Sequence, residues 1–412
     1  MTKHRTQIAI IGAALSANKG AAAMVETVMA RMPQHVGPCS FDILTTYPKD
    51  DSPRVPASAD ARVVGMEPLR LALIEFPIAC LAFLCRLLHL PLFWVRTRVC
   101  RSFLNSDVVV DVAGISFVDG RGFPILVYNT LMTGVPLLLG VPTVKAAQAL
   151  GPFKNSTTNF AARLVLPRVA AICARGARTR EHLDSLGLTN VFDVSDLAFS
   201  LEETGELPEH IRKLMEPAGE EFVVVMPSSV VKGLFEKDHG SYAQAMAELV
   251  KQIRSHTTKG VVIVPHSYRS QHPEGRMNDG PICKEVAQLC AHDPMVVGID
   301  ADLTAGELRH IVSLGSVLVT SRFHAMISGL STCTPTVVIG WSHKYKEVLD
   351  DFGLAELGHD SSALLHPGRL AAVVSDVLQR SNEISFQIRN GLPAVQERSA
   401  RNFSIIAGAI KP

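Results

Sequence analysis

The stretch SVLVTSRFHAMISGLSTCTPTVVIGWSHKYKEVLDDFG, residues 316–353, decides the interpretation of the whole chain. It contains two apolar runs that predict buried strands, Val317–Thr320 and Thr336–Ile339, each followed by a predicted helix. Ser321 stands where the N-cap of the first helix is expected, and Gly353 where the second helix stops. Strands that alternate with helices in this way are typical of a parallel α/β sheet.

Basic side chains follow both of these strands at the point where a helix begins. Arg322 and His324 follow the first strand, and His343 and Lys344 follow the second. Helix N-termini carry a partial positive charge, and open α/β sheets bind ligands at the carboxyl ends of their strands. The pattern predicts an anion site with phosphate as the expected ligand, and the alternative is helix capping with a surface ion pair.

Length and composition indicate two α/β domains. The chain has 412 residues, of which 47% are hydrophobic, and this is enough for two cores. A formal net charge of +1 gives no indication of a nucleic-acid partner. The eight cysteines show no C-x-x-C spacing, and residues 1–6 lead directly into a predicted strand, so we expect a reduced, cytoplasmic protein without a signal peptide.

Two series of apolar runs without period-2 alternation predict two parallel sheets. The first series is Gln7–Ile11, Phe41–Leu44, Arg62–Val64, Val108–Asp111, Val135–Leu139, Thr143–Ala147, Ala171–Ala174 and Val191–Val194. The second is Phe222–Met226, Val261–Pro265, Met295–Ile299, Val317–Thr320 and Thr336–Ile339. They predict Rossmann-like domains at 1–205 and 206–382 that face each other across a cleft, with a helical tail at 383–412.

The most apolar segment, residues 69–98, is predicted to be a helical insertion in the first domain. Its longest run without charge, Phe76–Cys85, is too short to span a bilayer. Basic residues flank the second half of the segment, namely Arg86, His89, Arg96 and Arg98. This pattern indicates a helix pair at a membrane interface, and the alternative is a helical hairpin buried against the domain.

The motifs resemble those of the polysaccharide pyruvyl transferase family. Ser-Arg-Phe-His-Ala-Met at 321–326, an apolar strand after Thr-Pro, and Lys344 twenty positions beyond His324 carry the resemblance. Gln148, Gly151 and Pro152 match a further family segment, whereas Ala21 stands where the family often has Asp. The resemblance implies a GT-B-like fold, no cofactor or metal, and transfer of pyruvate from phosphoenolpyruvate to two hydroxyls of a sugar as a ketal.

The resemblance also implies roles for individual residues. Arg175, Arg322 and Lys344 would hold the carboxylate and phosphate of the donor, because guanidinium groups suit both anions. His324 would protonate the enol carbon or neutralise the departing phosphate, since histidine exchanges protons near neutral pH. The donor would sit in the interdomain cleft, with the 206–382 domain as the donor side and the 1–205 domain as the side of the acceptor, a glycan or lipid-linked saccharide.

Further candidates come from the ends of the other predicted strands. Two of them are carboxylates, Asp111 and Asp119, which would be the base for a sugar hydroxyl or, alternatively, turn and cap residues. The other candidates would contact the donor or its phosphate, and these are His266, His343, Asn18 and Gly20. Asp279 and Asp302 directly precede predicted helices and are interpreted as caps.

Two other functions fit parts of the pattern. A GT-B glycosyltransferase that uses a nucleotide sugar would bind a nucleoside diphosphate. A non-catalytic, membrane-associated scaffold would release no phosphate from phosphoenolpyruvate. The expected location of the protein is cytoplasmic, and the membrane interpretation of residues 69–98 adds contact with the cytoplasmic face of a membrane.

Overall fold

A computed structural model describes residues 5–201, 206–269, 277–340 and 344–410. The chain divides into two compact units. The first comprises residues 1–16, 21–201 and 396–412, and the second comprises residues 17–20 and 202–395. Both are α/β units with a parallel sheet, the class predicted from the alternating apolar runs.

The first unit is built on an eight-stranded sheet in the order β3-β2-β1-β4-β6-β7-β8, with β5 paired to β6. All pairs are parallel, and Ile8 lies opposite Val108 in the register of β1 and β4. The central strands are buried on both faces, which explains their continuous Val and Ile runs. The strands are β1 (Thr6–Ile11), β2 (Cys39–Thr45), β3 (Ala61–Gly65), β4 (Val108–Asp111), β5 (Ile115–Ser116), β6 (Thr143–Leu150), β7 (Ala171–Arg175) and β8 (Val191–Val194).

Helices cover both faces of this sheet. They are α1 (Lys19–Val36), α2 (Pro48–Asp51), α3 (Pro68–Arg70), α4 (Phe76–Leu87), α5 (Arg98–Leu104), α6 (Phe123–Leu139), α7 (Ser156–Val165) and α8 (Ala177–Asp184). The strand predicted at Val135–Leu139 is wrong, because these residues form the last turns of α6. A short apolar run fits a buried helix as well as a strand. Gly140, in the left-handed conformation at φ 79°, ends the helix.

The second unit has a six-stranded parallel sheet in the order β11-β10-β9-β12-β13-β14. Strand β12 lies in the middle, between β9 and β13, so its carboxyl end is surrounded by the ends of other strands. The strands are β9 (Phe222–Met226), β10 (Gly260–Ile263), β11 (Val296–Gly298), β12 (Val317–Thr320), β13 (Thr336–Gly340) and β14 (Gly358–Asp360).

The helices of the second unit lie before, between and after its strands, and the caps of two helices differ from the prediction. They are α9 (Glu209–Met215), α10 (Ser229–Phe235), α11 (Tyr242–His256), α12 (Gly280–Leu289), α13 (Ala305–Leu314), α14 (Phe323–Ser331), α15 (Lys344–Asp350), α16 (Pro367–Gln379) and the first part of α17 (Ser381–Ala409), whose residues from 396 onward belong to the first unit. Arg322, not Ser321, occupies the N-cap position of α14. Thr304, not Asp302, caps α13 through a capping box with Glu307.

The apolar segment 69–98 begins with one helix rather than a helix pair. Residues Pro68–Leu87, which comprise α3, one π-helical turn and α4, form a helix of 20 residues that by length and composition alone could cross a membrane. Glu75 interrupts the apolar sequence and shortens its uncharged run. In the structure Glu75 is fully buried and accepts a hydrogen bond from Arg70 at 3.1 Å. Leu71, Ala79 and Ala82 pack into the core of the first unit, so one face of the helix is held by the protein.

The C-terminal helix α17 completes the core of the first unit. Phe403 and Ile406 are buried among residues of β1, β4 and β6. The side chain of Asn402 accepts a hydrogen bond from the backbone N–H of Ala147 at 3.1 Å and donates to the carbonyl of Ser195 at 3.1 Å. Ala147 has a positive φ of 47° and lies where the pairing of β6 with β7 shifts register. Asn402 therefore supports a backbone irregularity between Lys145 and Gln148.

Candidate functional site

The carboxyl end of β12 carries a buried ion pair that organises the second unit's strand ends. Arg322 donates two hydrogen bonds to Asp279, one of them from Nε to Oδ2 at 2.7 Å. Asp279 is fully buried, and Arg322 is 7% exposed. Burial disfavours the charged guanidinium, but the Asp279 carboxylate outweighs it and raises the pKa of Arg322.

The carboxylate of Asp279 also ties together loops that follow two other strands. It accepts hydrogen bonds from the backbone N–H of Ser229, after β9, at 2.8 Å and of Ser267, after β10, at 3.0 Å. Asp279 stands at the N-cap position of α12, but its side chain caps no N–H of that helix, so its interpretation as a cap is corrected. Its role is to fix three strand ends and to hold the Arg322 guanidinium in one orientation.

His266 lies in the same cluster and is kept neutral. It is 3% exposed at the end of β10. Burial, followed by the positive neighbours His324, Arg322, Lys19 and Arg309, lowers the pKa of His266 well below its ordinary value of 6.5. The basic residues of the second unit therefore create a positive potential at this end of the sheet.

His324 occupies the first turn of α14 and is half-buried. The imidazole ring packs edge to face against the ring of Phe323, with 5.3 Å between the ring centroids. A Cβ atom placed on Gly20 would lie only 2.1 Å from Nδ1 of His324, so only glycine permits this approach. The side chain of Asn18 accepts a hydrogen bond from the N–H of Gly20 at 3.1 Å and shapes this turn.

Lys344 is the first residue of α15, and the next residue, Tyr345, anchors this helix to the start of α14. The hydroxyl of Tyr345 donates a hydrogen bond to the carbonyl of Ser321 at 3.1 Å. The centroids of the Tyr345 and Phe323 rings are 5.6 Å apart. Lys344 is half-buried. His343, also a predicted ligand, lies outside the described residues.

Lys19 is a buried cation that motif reasoning did not assign. Its Nζ lies 2.5 Å from Oδ1 of Asp302, and the Lys19 side chain is 2% exposed. This ion pair, rather than a helix cap, is the role of Asp302. Asp300, the other carboxylate of the Asp-Ala-Asp sequence, accepts a hydrogen bond from the Tyr268 hydroxyl at 2.8 Å.

In the first unit, Asp111 ends β4 inside a sealed polar network. Its Oδ2 lies 2.6 Å from Nζ of Lys145, and both side chains are fully buried. Lys145 also donates to Ser116 and Gln148, each at 3.3 Å, and Gln148 donates to the carbonyl of Asp111 at 2.7 Å. The N–H of Ala113 donates to Oδ1 of Asp111 at 3.0 Å, so both carboxylate oxygens are engaged. This arrangement favours a structural role for Asp111 over that of a base that meets a sugar.

Asp119 is only partly engaged. Its Oδ2 accepts hydrogen bonds from the backbone N–H groups of Lys154 at 2.8 Å and Asn155 at 3.2 Å, which joins the turn before α6 to the turn before α7. Its Oδ1 is buried and has no hydrogen-bond partner among the described residues. Asp119 is half-buried. Of the two predicted bases, Asp119 is therefore the one whose carboxylate has an oxygen that accepts no hydrogen bond from the described residues.

Arg175, at the end of β7, is also held by a carboxylate. It forms a buried ion pair with Asp196 and donates from Nη2 to the carbonyl of Gly114 at 2.9 Å. Asp196 additionally caps the turn after β8 through the N–H of Ala198 at 2.9 Å. Arg175 thus connects β7 with the glycine turn that follows β4.

The structure groups the predicted residues into two sets. Asn18, Gly20, His266, Arg322, His324 and Lys344 belong to the second unit, whereas Asp111, Asp119 and Arg175 belong to the first. Sequence reasoning interpreted Asp279 and Asp302 as caps and did not assign the ion pairs that Asp279, Asp302 and Asp196 form, and it did not assign the buried Lys145. A signal for Lys145 was its position inside an apolar strand, where an unpaired charge is very costly.

Solved structures of GT-B enzymes are similar to this chain in fold. A UDP-N-acetylglucosamine 2-epimerase matches with a TM-score of 0.61 at 11% identity, over 97% of this chain and 95% of that one. The UDP-GlcNAc 2-epimerase from Neisseria meningitidis bound to UDP-GlcNAc matches with a TM-score of 0.56 at 12% identity, over 96% and 99% of the two chains. At this identity the likeness establishes the GT-B fold alone, as predicted.

Sequence comparison establishes the family. The amylovoran biosynthesis protein AmsJ of Erwinia amylovora is 27% identical over 318 residues, which cover 74% of this chain and 72% of that protein. A family model described as polysaccharide pyruvyl transferase matches residues 18–343. This range includes the loop at Asn18, the Gln148 segment and the Ser-Arg-Phe-His motif at 321–324. The chain therefore belongs to the polysaccharide pyruvyl transferase family and is a transferase of polysaccharide biosynthesis.

Proposed function

We propose that this enzyme takes pyruvate from phosphoenolpyruvate and attaches it as a ketal to two hydroxyls of a glycan or lipid-linked saccharide. The observation that carries the proposal is the basic cluster at the start of α14. There burial and then the positive neighbours of His266 lower its pKa, and the positive potential of these neighbours would attract an anionic donor.

Within this cluster, the buried Asp279 fixes Arg322 in place. A guanidinium that is held by a bidentate carboxylate loses little entropy when it meets a ligand. Arg322 would orient the donor in this way, while Lys344 and His324, both half-buried, would contact its phosphate or carboxylate. His266 is neutral and would act as a hydrogen-bond partner rather than as a charge.

The chemistry requires one proton at the start and releases two from the sugar. Protonation of C3 of the enol converts the methylene to a methyl group and develops positive charge at C2. One sugar hydroxyl adds to C2 and loses its proton, the C2–O bond to phosphate breaks, and the second hydroxyl adds with loss of its proton. His324 would supply the first proton or neutralise the leaving phosphate, because histidine exchanges protons near neutral pH.

Asp119 is the candidate base for a sugar hydroxyl. Its Oδ2 is fixed by two backbone N–H groups, while Oδ1 keeps an unused acceptor position. Asp111 is less suitable because Lys145 and the N–H of Ala113 engage its two oxygens. Asp119→Asn would remove the base and keep the shape of the turn.

We also propose that the segment 69–98 contacts a membrane surface. The outer face of its first helix exposes large apolar side chains, among them Leu73, Leu84 and Leu87 at 73%, 54% and 62% exposure. Trp94 lies in the same segment, and Trp341→Phe would leave it as the single tryptophan. Vesicles of brominated phosphatidylglycerol should quench its fluorescence, and absence of quenching would refute this contact.

The decisive experiment measures phosphate release from phosphoenolpyruvate with a panel of free and lipid-linked saccharides. We expect release only with an acceptor that carries two suitably placed hydroxyls, together with a product that contains one pyruvate ketal. Absence of release with every acceptor, in a protein shown to be folded, would refute the proposed donor.

A nucleotide-sugar glycosyltransferase is the second candidate, because the Neisseria meningitidis structure of the same fold is bound to UDP-GlcNAc. Calorimetric titration with UDP distinguishes the two. We expect no heat of binding with UDP and a measurable one with phosphoenolpyruvate, and the opposite result would favour the glycosyltransferase.

A further inference from the structure

An open apolar cleft lies between α6 and α7 in the first unit. Phe123, Leu126 and Val127 line it from α6, and Phe160, Ala161 and Leu164 line it from α7. Its cavity volume is about 340 Å³, which lies within the range of small-molecule sites. Phe123 and Phe160 at its edge are 66% and 70% exposed, which is unusual for two aromatic side chains of the same cleft.

The cleft continues a larger apolar surface. Helix α6 packs against both α4 and α7. Among the described residues, fourteen of the twenty-one exposed large apolar side chains lie between residues 69 and 164. The exposed apolar surface of the protein is therefore concentrated on this group of helices.

The sequence of these helices lacks carboxylates. Residues 76–106 and 120–180 contain no Asp or Glu, although the whole chain has 39. Both segments carry basic residues, and the exposed ones near the cleft are Arg121, Lys154, Arg163 and Arg168. A surface that combines apolar side chains with an excess of positive charge complements an anionic lipid layer and not a soluble protein partner of mixed charge.

We infer that the cleft between α6 and α7 takes up a hydrocarbon chain of an anionic membrane lipid. The chain would lie between Phe123 and Phe160, and the headgroup would meet the basic residues at the surface. The turns that open the two helices are joined by Asp119, so the cleft begins beside the candidate base. The inference rests on the proposed membrane contact of residues 69–98, but not on the identity of the donor.

The experiment uses vesicles of phosphatidylcholine that contain phosphatidylglycerol with a diazirine at the end of one acyl chain. Illumination of the full chain, followed by mass spectrometry, should place the label on residues 123–164. Val127→Trp fills the cleft and preserves its apolar character, and it should reduce this labelling at least fivefold. Phe386→Gln is the matched control, because Phe386 is 63% exposed on α17, and it should label as the wild type does.

Other outcomes overturn the inference. Labelling that is unchanged in Val127→Trp, or that avoids residues 123–164, would show that the chain does not enter the cleft. A dimer that Val127→Trp dissociates, with no lipid labelling, would assign the cleft to a second copy of the protein. Trp94 quenching by brominated lipid and phosphate release with a free saccharide are measured in parallel, so failure of the cleft is distinguishable from failure of the proposed function.

Discussion

Both sheets end in charged side chains at the carboxyl edges of their strands, but the two sets balance their charge differently. In the first unit, Lys145 pairs with Asp111 at 0% exposure on both sides, in a network closed by Ser116 and Gln148. In the second unit, Arg322 and Lys19 also pair with carboxylates, and the basic residues His324 in α14 and Lys344 in α15 are half-buried.

The difference teaches how the same sheet edge can serve two purposes. A sealed ion pair fixes strand ends, but its charges and hydrogen bonds are used within the network, so it leaves no group for a ligand. A cluster with additional basic groups keeps a positive potential, and in the second unit such groups add to burial in lowering the pKa of His266. The second arrangement is the one suited to a small anion, and four experiments test the contrast.

The largest expected effect is on turnover. His324→Ala should lower kcat by about 100- to 10,000-fold, the usual range for loss of a general acid, with little change in unfolding free energy because the side chain is half-buried. Steady-state phosphate release and urea unfolding measure the two quantities. Near-normal turnover would remove His324 from the mechanism.

Loss of one partner from a buried pair should chiefly affect stability. Asp279→Ala in the second unit and Lys145→Met in the first should each cost about 3–5 kcal/mol, because each leaves an uncompensated buried charge. Asp184→Ala removes an exposed pair with Arg180 and should cost less than about 0.5 kcal/mol. Equal small effects at all three positions in urea unfolding would contradict the contrast.

The approach of Gly20 to His324 gives a more local test. Gly20→Ala would place Cβ at 2.1 Å from the imidazole, so the ring must move, and a shift of about 1 Å can cost roughly 100-fold in rate. Gly368→Ala is the control, because a Cβ atom added there would meet nothing within 4 Å. Activity that is equal in both variants would show that the His324 ring position is not critical.

The smallest effect concerns pH. The pKa of folded His266 is lower than its ordinary value of 6.5, so below about pH 6.5 the unfolded state binds more protons and stability falls as pH decreases. His266→Gln should flatten this dependence by up to about 1.4 kcal/mol per pH unit. The pKa of His359 is also lowered, but it is the same in the wild type and in His266→Gln, so it does not contribute to the difference between their pH dependences. Parallel slopes between pH 5 and 7 would refute the neutral, buried state of His266.

The sequence predicted the sheets well where strands are central and buried. Val108–Asp111, Phe222–Met226 and Val317–Thr320 have the predicted bounds, because runs of β-branched residues between turn signals have few alternatives. The strand predicted at residues 135–139 is wrong, because the length and composition of this apolar run also fit the last turns of a buried helix. The short strand β14 carries the residues Gly-His-Asp, which give no strand signal.

The candidate site was only half predictable. Basic residues that follow strands can be recognised in the sequence. They are expected to lie close together because the strand ends share one edge of the sheet. Their carboxylate partners are distant in sequence, as Asp279 is from Arg322 and Asp302 from Lys19, so only the folded chain pairs them. A helix-cap pattern explained both aspartates locally, but the tertiary ion pairs prevail.

The place of α17 in the first unit has a consequence for synthesis. Phe403 and Ile406 fill the core beneath β1 and β4, and Asn402 supports the irregular backbone at Ala147. The N-terminal sheet therefore cannot complete its packing until residues 396–410 have left the ribosome, although most N-terminal domains fold while the rest of the chain is translated. A nascent chain halted near residue 380 should remain open to protease and to chaperones.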